Sequence, residues 1–280
     1  MKQLIISQVF EEERALYGLD GAEITACSFE GPADGESALK ECRRIKVHNC
    51  RFALRYPLWH VKDFSVMDCR MTESCRAPLW YSDIGALRHC YIDGVKALRE
   101  CNDIIIEDSV IHSPEFGWNC GKLRIRNSSI SSEYFLLNSH DIEISGLKMN
   151  GKYSFQYVNG MTVSNSILDT KDAFWHAKNV TVTDSEINGE YLGWYSEGLT
   201  LINCKIKGTQ PLCYCKDLRL VNCTMEDADL SFENSEVEAD IVGDILSVKN
   251  PRSGTIRADG IGEIIEETPL TENTCKIFIR

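Results

Sequence analysis

The stretch VTVTDSEINGEYLGWYSEGLTLINC, residues 180–204, contains the pattern that decides the fold of this chain. It begins with VTVTDS and ends with LTLINC, so a similar segment returns after 19 residues. The same step separates the residues that close these segments, which are Cys90, Ser109, Ser128, Leu147, Ser166, Ser185, Cys204 and Cys223. Cys69, Cys50 and Cys27 continue the series backwards at steps of 21, 19 and 23 residues. A period near 20 residues is typical of a solenoid.

Alternation within the repeat distinguishes the two solenoids of this period, the leucine-rich repeat and the parallel β-helix. Apolar and polar residues alternate in LRIRNS at 123–128 as they do in VTVTDS, and this alternation indicates strands. Helical spacing, which a leucine-rich repeat would show in half of each unit, is missing from the repeat. We therefore predict an all-β, single-stranded parallel β-helix of about eleven coils, stacked about 4.8 Å apart.

Equivalent positions of successive coils form columns, and two of these columns have a physical reason. The closing column of Cys and Ser suits an interior with little room. The residue before it is Asn or Asp in most coils, as at Asn127, Asp184 and Asn203, and these side chains tolerate the left-handed backbone conformation of a bend. Gly146 and Leu147 break both columns, so we expect that coil to bend differently.

The two ends of the chain differ from the repeat. Residues 1–19 include EEERALYGL, rich in helix-forming residues, and we predict a capping segment there because an open solenoid end exposes core and strand edges. The β-helix is predicted over 20–265, with shorter or degenerate coils after about residue 236. Residues 266–280 form a tail that ends in the strand-like CKIFIR.

Composition narrows the classes of function. The net charge of −12 and the pI of about 5.0 disfavour binding to nucleic acid or to an anionic membrane. We find no signal peptide and no apolar run long enough to span a membrane. The 13 cysteines are odd in number and mostly fall in repeat columns, which indicates reduced, buried thiols in a cytoplasmic protein. Neither a metal site nor a cofactor is predicted, and Cys213-x-Cys215 has the wrong spacing for zinc.

Aromatic residues concentrate in the half of each coil that precedes the strands. All five Trp occur in one column, and the neighbouring column reads Glu41, His60, Tyr81, Glu100, Asn119, Asn138, Tyr157, His176, Tyr195, Tyr214. Apolar columns on either side supply much of the core, and charged side chains are costly to bury. We therefore predict that this polar-aromatic column faces solvent.

An exposed row of Tyr, Trp and His suits carbohydrate, because an aromatic side chain combines a flat apolar face with a polar end. The predicted sugar-binding residues are His60, Tyr81, Trp118, Tyr157, Trp175, His176, Trp194, Tyr195 and Tyr214. The alternative is that stacked aromatic rings only stabilise a sheet face, as cross-strand neighbours do.

Catalysis on a sugar polymer would need suitable acids or bases beside this row. Glycosidases use two carboxylates, and adjacent coils bring Asp172 near Glu190, which we predict as the catalytic pair. Glu115 and Glu133 are a second pair of the same kind. An elimination reaction would instead need a base and a cation, and the residues that qualify are Arg55, Arg76, Lys96 and Arg99.

Several sequence strings resemble those of a bacterial family known as domain of unknown function 3737. They are FEEERALY, GPADGESALKE, LRYPLWH, GVKALREC, SPEFGW, GKYSFQY, LDTKDAFWH, GEYLGWYS and GTQPLCYC, spread over most of residues 9–265. The resemblance implies a right-handed parallel β-helix similar to pectin-lyase-like proteins, and it brings no assigned catalytic residues. The carboxylate motifs of polygalacturonases and the calcium cluster of pectate lyases are missing from the sequence.

Two functions remain open from the sequence. One is an intracellular protein that binds or processes carbohydrate, as a glycoside hydrolase or a lyase. The other is a binding or scaffold solenoid without catalytic activity. The ligand, the linkage and the oligomeric state are not determined by the sequence.

Overall fold

The computed structural model describes residues 3–31, 36–268, 270 and 272–280. It divides into two compact units, Met1–Glu143 and Ile144–Arg280, and each unit consists of parallel β-solenoid turns. The described residues contain no α-helix, and one short 3₁₀ helix spans Glu73–Cys75. The prediction of a right-handed, all-β parallel solenoid with a repeat of about 19 residues is confirmed.

The alternating segments form strands, as predicted, because their apolar residues point inward. In Lys178–Thr183, Val180 and Val182 are fully buried, while the Thr side chains between them are partly exposed. Each strand pairs in parallel with the equivalent strand one coil away, so that Val180 lies opposite Leu199. The repeat in the sequence is therefore the register of the sheet.

The first unit contains three sets of strands and the 3₁₀ helix. Its longer strands are Gln3–Ile6, Ala22–Thr25, Arg43–His48, Lys62–Met67, Asp83–Arg88, Asn102–Glu107, Gly121–Arg126 and His140–Ser145, the last of which continues past the unit boundary. Its second set is Val9–Phe10, Ser28–Phe29, Arg51–Phe52, Arg70–Met71, Tyr91–Asp93, Val110–His112 and Ser129–Ser132. Its short pairs are Leu58–Trp59, Leu79–Trp80, Leu98–Arg99, Glu115–Phe116 and Tyr134–Phe135.

The second unit repeats the two main sets. Its longer strands are Asn159–Ser164, Lys178–Thr183, Glu197–Ile202, Leu218–Glu226, Glu236–Ile241, Ser253–Ala258 and Lys276–Ile279. Its second set is Lys148–Lys152, Ile167–Lys171, Glu186–Asn188 and Lys205–Lys207, and a separate pair consists of Asp244–Lys249 and Gly260–Ile265.

The interior contains stacked columns of identical or similar side chains. The backbone N–H of Cys50 donates to Sγ of Cys69 at 3.3 Å, and the thiols of Cys204 and Cys223 are hydrogen-bonded to each other. The predicted stacking of both pairs is confirmed. All 13 cysteines are free, and 12 of them are buried, which raises the pKa of Cys42, for example, to about 11.

The bends of the coils have the backbone conformation that their residues predicted. Asn127, Asp184 and Asn203 have φ angles of 47°, 51° and 53°, in the left-handed region that Asn and Asp tolerate. Their amides also bond along the column, since Nδ2 of Asn203 donates to Oδ1 of Asp184 at 2.9 Å. These side chains therefore fix the bend and connect successive coils.

The number of turns is about 14, which exceeds the predicted eleven. Turns at both ends lack the Cys or Ser that defined the count. Gln3–Ile6 pairs with Ala22–Thr25, so the described part of the segment predicted as a cap forms a turn of strands; its capping role stays a prediction. Late turns are shorter, as predicted, because Asp244 lies opposite Gly260, 16 residues on. In the predicted tail, Lys276–Ile279 pairs with Ser253–Ala258.

Candidate functional site

Four rings of the polar-aromatic column stack face to face in the second unit, and we call Tyr157, His176, Tyr195 and Tyr214 the ring ladder. Successive ring centroids are 5.0, 5.0 and 4.9 Å apart, and the ring planes deviate by 8°, 8° and 14°. Tyr157 and Tyr195 are 52% and 46% exposed, while Tyr214 is half-buried. The predicted exposure of this column is confirmed in the second unit.

Stacking determines which part of each ring can contact a ligand. The faces of His176 and Tyr195 are covered by neighbouring rings, so only ring edges and their polar atoms point to solvent. Neither the hydroxyl of Tyr157 nor that of Tyr195 has a hydrogen-bond partner among the described residues. The ladder therefore offers a row of hydrogen-bonding groups rather than the flat apolar platform that the sequence suggested.

The backbone of the ring ladder is left-handed at every step. Tyr157, His176 and Tyr195 have φ angles of 58°, 54° and 59°. Asn is the residue that this conformation favours, whereas bulky side chains are uncommon in it. Asn119 and Asn138 occupy this position in the first unit with φ of 53°, joined by an amide hydrogen bond of 2.8 Å. A coil therefore closes without a ring at this position.

The five tryptophans form a second, less exposed set. Each indole N–H donates to a backbone carbonyl of the following turn, at 2.7–3.0 Å, and the acceptors are Ala77, Lys96, Tyr134, Tyr191 and Gln210. Trp175 and Trp194 also stack on each other at 5.5 Å. Because their polar ends are used within the fold, Trp118, Trp175 and Trp194 hold turns together, and their contact with sugar stays a prediction.

The two predicted carboxylates have different surroundings. Asp172 is only 6% exposed, and its backbone N–H donates to the carbonyl of Glu190 at 2.9 Å. Burial raises the pKa of Asp172; Lys171 lowers it, and the nearby Glu190 carboxylate raises it further. Glu190 is exposed, with its carboxylate 3.2 Å from Nζ of Lys171. The structure thus brings the two residues together, and their catalytic role stays a prediction.

The remaining predicted residues lie in the first unit. His60 and Tyr81 stack at 5.0 Å and are both exposed, Tyr81 by 38%. Glu115, of the alternative carboxylate pair, accepts from Arg99 at 2.9 Å and lies 3.5 Å from Lys96. That carboxylate is thus neutralised by two cations, whereas Glu133 is exposed.

Hollows on the surface were not predicted from the sequence. In the second unit, the largest has a volume of about 540 Å³ and lies beside Asp227, Leu246 and Gly260. In the first unit, a smaller one of about 150 Å³ lies beside Tyr56 and Lys96. The signal for the smaller hollow was the 21-residue step between Cys69 and Cys90.

Membrane and metal sites were also sought in the described part of the chain. No helix there is long and apolar enough to cross a membrane. Nor does any group of three or more His, Cys, Asp or Glu side chains in those residues have an arrangement that could hold a metal ion.

Comparison with known proteins adds a family and a fold. Over residues 3–278 the chain matches the family described as Protein of unknown function (DUF3737). The chain belongs to this family. A search of curated proteins found no match. The DUF3737 assignment confirms the resemblance seen in the sequence.

Solved structures that resemble this DUF3737 protein are only 8–10% identical to it. The surface adhesin PfbA of Streptococcus pneumoniae has a TM-score of 0.58 at 8% identity, covering 82% of this chain and 84% of the adhesin. The catalytic domain of GH87 alpha-1,3-glucanase, in complex with nigerose, has a TM-score of 0.43 at 10% identity, covering 82% and 61%. A tailspike mutant of E. coli bacteriophage HK620, with a hexasaccharide, scores 0.41 at 10% identity, covering 93% and 60%. Of these three, only the adhesin supports the shared fold.

Proposed function

We propose that the ring ladder binds an extended polysaccharide, with one sugar residue opposite each coil. The observation that carries this proposal is the stack of four rings, spaced 4.9–5.0 Å apart, whose polar edges point to solvent. A sugar residue in an extended chain advances by about one coil spacing. Each hydroxyl or ring nitrogen of the ladder can therefore bond an equivalent group of the polymer.

Hydrogen bonding, rather than ring stacking, is the contact that this geometry allows. Sugar rings stack on aromatic faces, and the faces of His176 and Tyr195 are already covered. The hydroxyl of Tyr195 can both donate and accept a hydrogen bond, and so can a neutral imidazole through its two nitrogens. Sugar hydroxyls have the same dual character, so a row of such groups complements a polysaccharide edge.

The choice of residue supports a role beyond stabilising the coil. At this left-handed position Asn satisfies the backbone and bonds its neighbour, as Asn138 does to Asn119. Tyr and His are less favourable there, yet they occupy four successive coils of the second unit. A ligand that contacts the rings gives a reason for this choice.

Hydrolysis of the bound polymer is the second candidate, and Asp172 favours it. A general acid needs a raised pKa, and a partner carboxylate in a wetter environment stays ionised. Asp172 is buried with a raised pKa, and Glu190 is exposed beside Lys171. In this proposal Asp172 protonates the leaving oxygen, and Glu190 acts on the anomeric carbon or on water.

We also propose a reducing compartment, the cytoplasm, as the location of the protein. The support is the odd number of cysteines, 13, of which 12 are buried in interior columns. Thiols in such columns pack as small apolar side chains.

Binding can be tested by screening the purified protein on an array of extended neutral polysaccharides. The affinity for the best polysaccharide is then measured for the native protein and for Tyr195→Phe. Loss of one neutral hydrogen bond should weaken binding by about 2- to 10-fold, since such a bond contributes about 0.5–1.5 kcal/mol. The matched control is Tyr17→Phe, which removes an exposed hydroxyl outside the ladder. The proposal is wrong if no polysaccharide binds, or if both variants bind as the native protein does.

A further inference from the structure

The turn between Met71 and Leu79 is two residues longer than the turn before it. Phe52 pairs with Met71, and Leu58 pairs with Leu79, so seven residues connect strands that five residues connect one coil earlier. The extra length contains the 3₁₀ helix Glu73–Cys75. The helix ends at Arg76, whose φ of 50° turns the chain back toward the strand.

A missing side chain beside this turn leaves a hollow. Tyr56, Ala77 and Lys96 occupy equivalent positions in three successive coils, and Ala77 is too small to fill the space between its neighbours. The hollow has a volume of about 150 Å³ and is lined by Tyr56, Arg76, Ala77, Trp80, Val95 and Lys96. A cavity of about this size is known to hold a benzene ring.

Packing fixes the walls of the hollow. The Tyr56 ring rests against Trp59 at 4.5 Å, and the N–H of Trp80 donates to the carbonyl of Lys96 at 2.9 Å. The Trp80 ring lies between Trp59, at 5.2 Å, and the guanidinium of Arg99, at 4.7 Å, so that only its edge can line the hollow. The hollow therefore persists without a ligand.

Positive charge exceeds negative charge around the hollow. Arg76 is exposed and has no ion-pair partner in the described residues. Lys96 and Arg99 share the single carboxylate of Glu115, at 3.5 and 2.9 Å. Three cations thus face one anion in a protein of net charge −12, so an anionic ligand completes the balance.

We propose that this hollow binds a small aromatic carboxylate, with its ring against Tyr56, Ala77 and Val95 and its carboxylate between Arg76 and Lys96. The lining residues include no Asn, Gln, Asp, Glu or Ser that would bond the hydroxyls of a sugar acid. An arginine fork and a lysine are well suited to a carboxylate. The site is in the first unit and does not depend on the ring ladder.

Benzoate is the probe for this site, and binding is measured by calorimetry and by the fluorescence of Trp80 and its neighbours. We expect saturable binding of benzoate, and binding of the neutral benzamide that is at least about fivefold weaker. Arg76→Gln should weaken benzoate binding by about fivefold, the effect of one exposed ion pair. The matched control, Arg126→Gln, removes an exposed arginine that pairs with Glu107 and should leave binding unchanged.

Filling the hollow gives an independent test. Ala77→Leu adds apolar volume without changing charge, and it should abolish benzoate binding. Inorganic phosphate and glucuronate test the selectivity for an aromatic carboxylate, and both should bind more weakly than benzoate. The proposal is overturned if either ligand binds more tightly than benzoate, if benzamide binds as well as benzoate, or if Arg76→Gln has no effect in a folded protein.

Discussion

Replacing Tyr195 by Asn separates the stabilising role of the ring ladder from its binding role. The substitution removes the central ring between His176 and Tyr214 and installs the residue that closes the coil at Asn138. The backbone stays left-handed, and Asn tolerates this conformation better than Tyr. We expect a modest loss of stability together with a loss of polysaccharide binding.

The size of the stability change follows from three contributions. Two ring contacts contribute about 1 kcal/mol each when fully formed, and roughly half of that for a ring that is 46% exposed. Loss of roughly 70 Å² of buried apolar area costs about 2 kcal/mol more. Relief of the left-handed conformation returns about 1 kcal/mol. The free energy of unfolding should therefore fall by about 2 kcal/mol, which corresponds to a decrease in Tm of roughly 4–8 °C.

Urea unfolding followed by circular dichroism measures this change, and the same samples are used for polysaccharide binding. Phe174→Ala, in the interior stack with Phe155, is the reference for a core position and should cost about 3–5 kcal/mol. If Tyr195→Asn costs as much as Phe174→Ala, the ring ladder is part of the core. Unchanged binding in the stable Tyr195→Asn protein would refute its binding role.

Three further outcomes are expected. Because burial raises the folded-state pKa of Asp172 above 3.8, its contribution to stability falls as the pH rises through that pKa; Asp172→Asn should be more stable than the native protein at pH 7, and urea titrations should show no such gain near pH 3. Gly189→Ala places a Cβ 2.2 Å from the carbonyl of Thr170 and should cost at least about 2 kcal/mol, whereas Gly243→Ala, with open space around it, should cost about 1 kcal/mol in the same assay. Thiol titration of protein denatured without reductant should find all 13 cysteines, and a count of 11 or fewer would indicate a disulfide.

Much of the fold could be predicted because a parallel solenoid writes its register directly into the sequence. The step from Val180 to Leu199 is both a repeat and a strand pair. The same logic placed Cys50 beside Cys69 and kept Asn203 at a bend. The turn count was too low because the end turns pair through backbone groups without the marker residue.

Side-chain orientation within the columns could not be read from the sequence. Column membership places Tyr157 beside His176, but the torsion angles of the side chains decide that the rings stack and cover each other's faces. The use of indole N–H groups within the fold was missed for the same reason, since the acceptor of Trp175 is a carbonyl of the next turn. The burial of Asp172 also depends on the local turn rather than on its column.

The long turn at residues 73–76 has a consequence for engineering. Its two additional residues leave the neighbouring pairs Met71–Ile92 and Leu79–Leu98 in their normal 21- and 19-residue alignments. Extra length at this corner is therefore absorbed outside the hydrogen-bonded ladder. Peptide segments grafted here should alter the chemistry of the surface while the scaffold beneath keeps its spacing, so this corner is a natural position for designing new specificity.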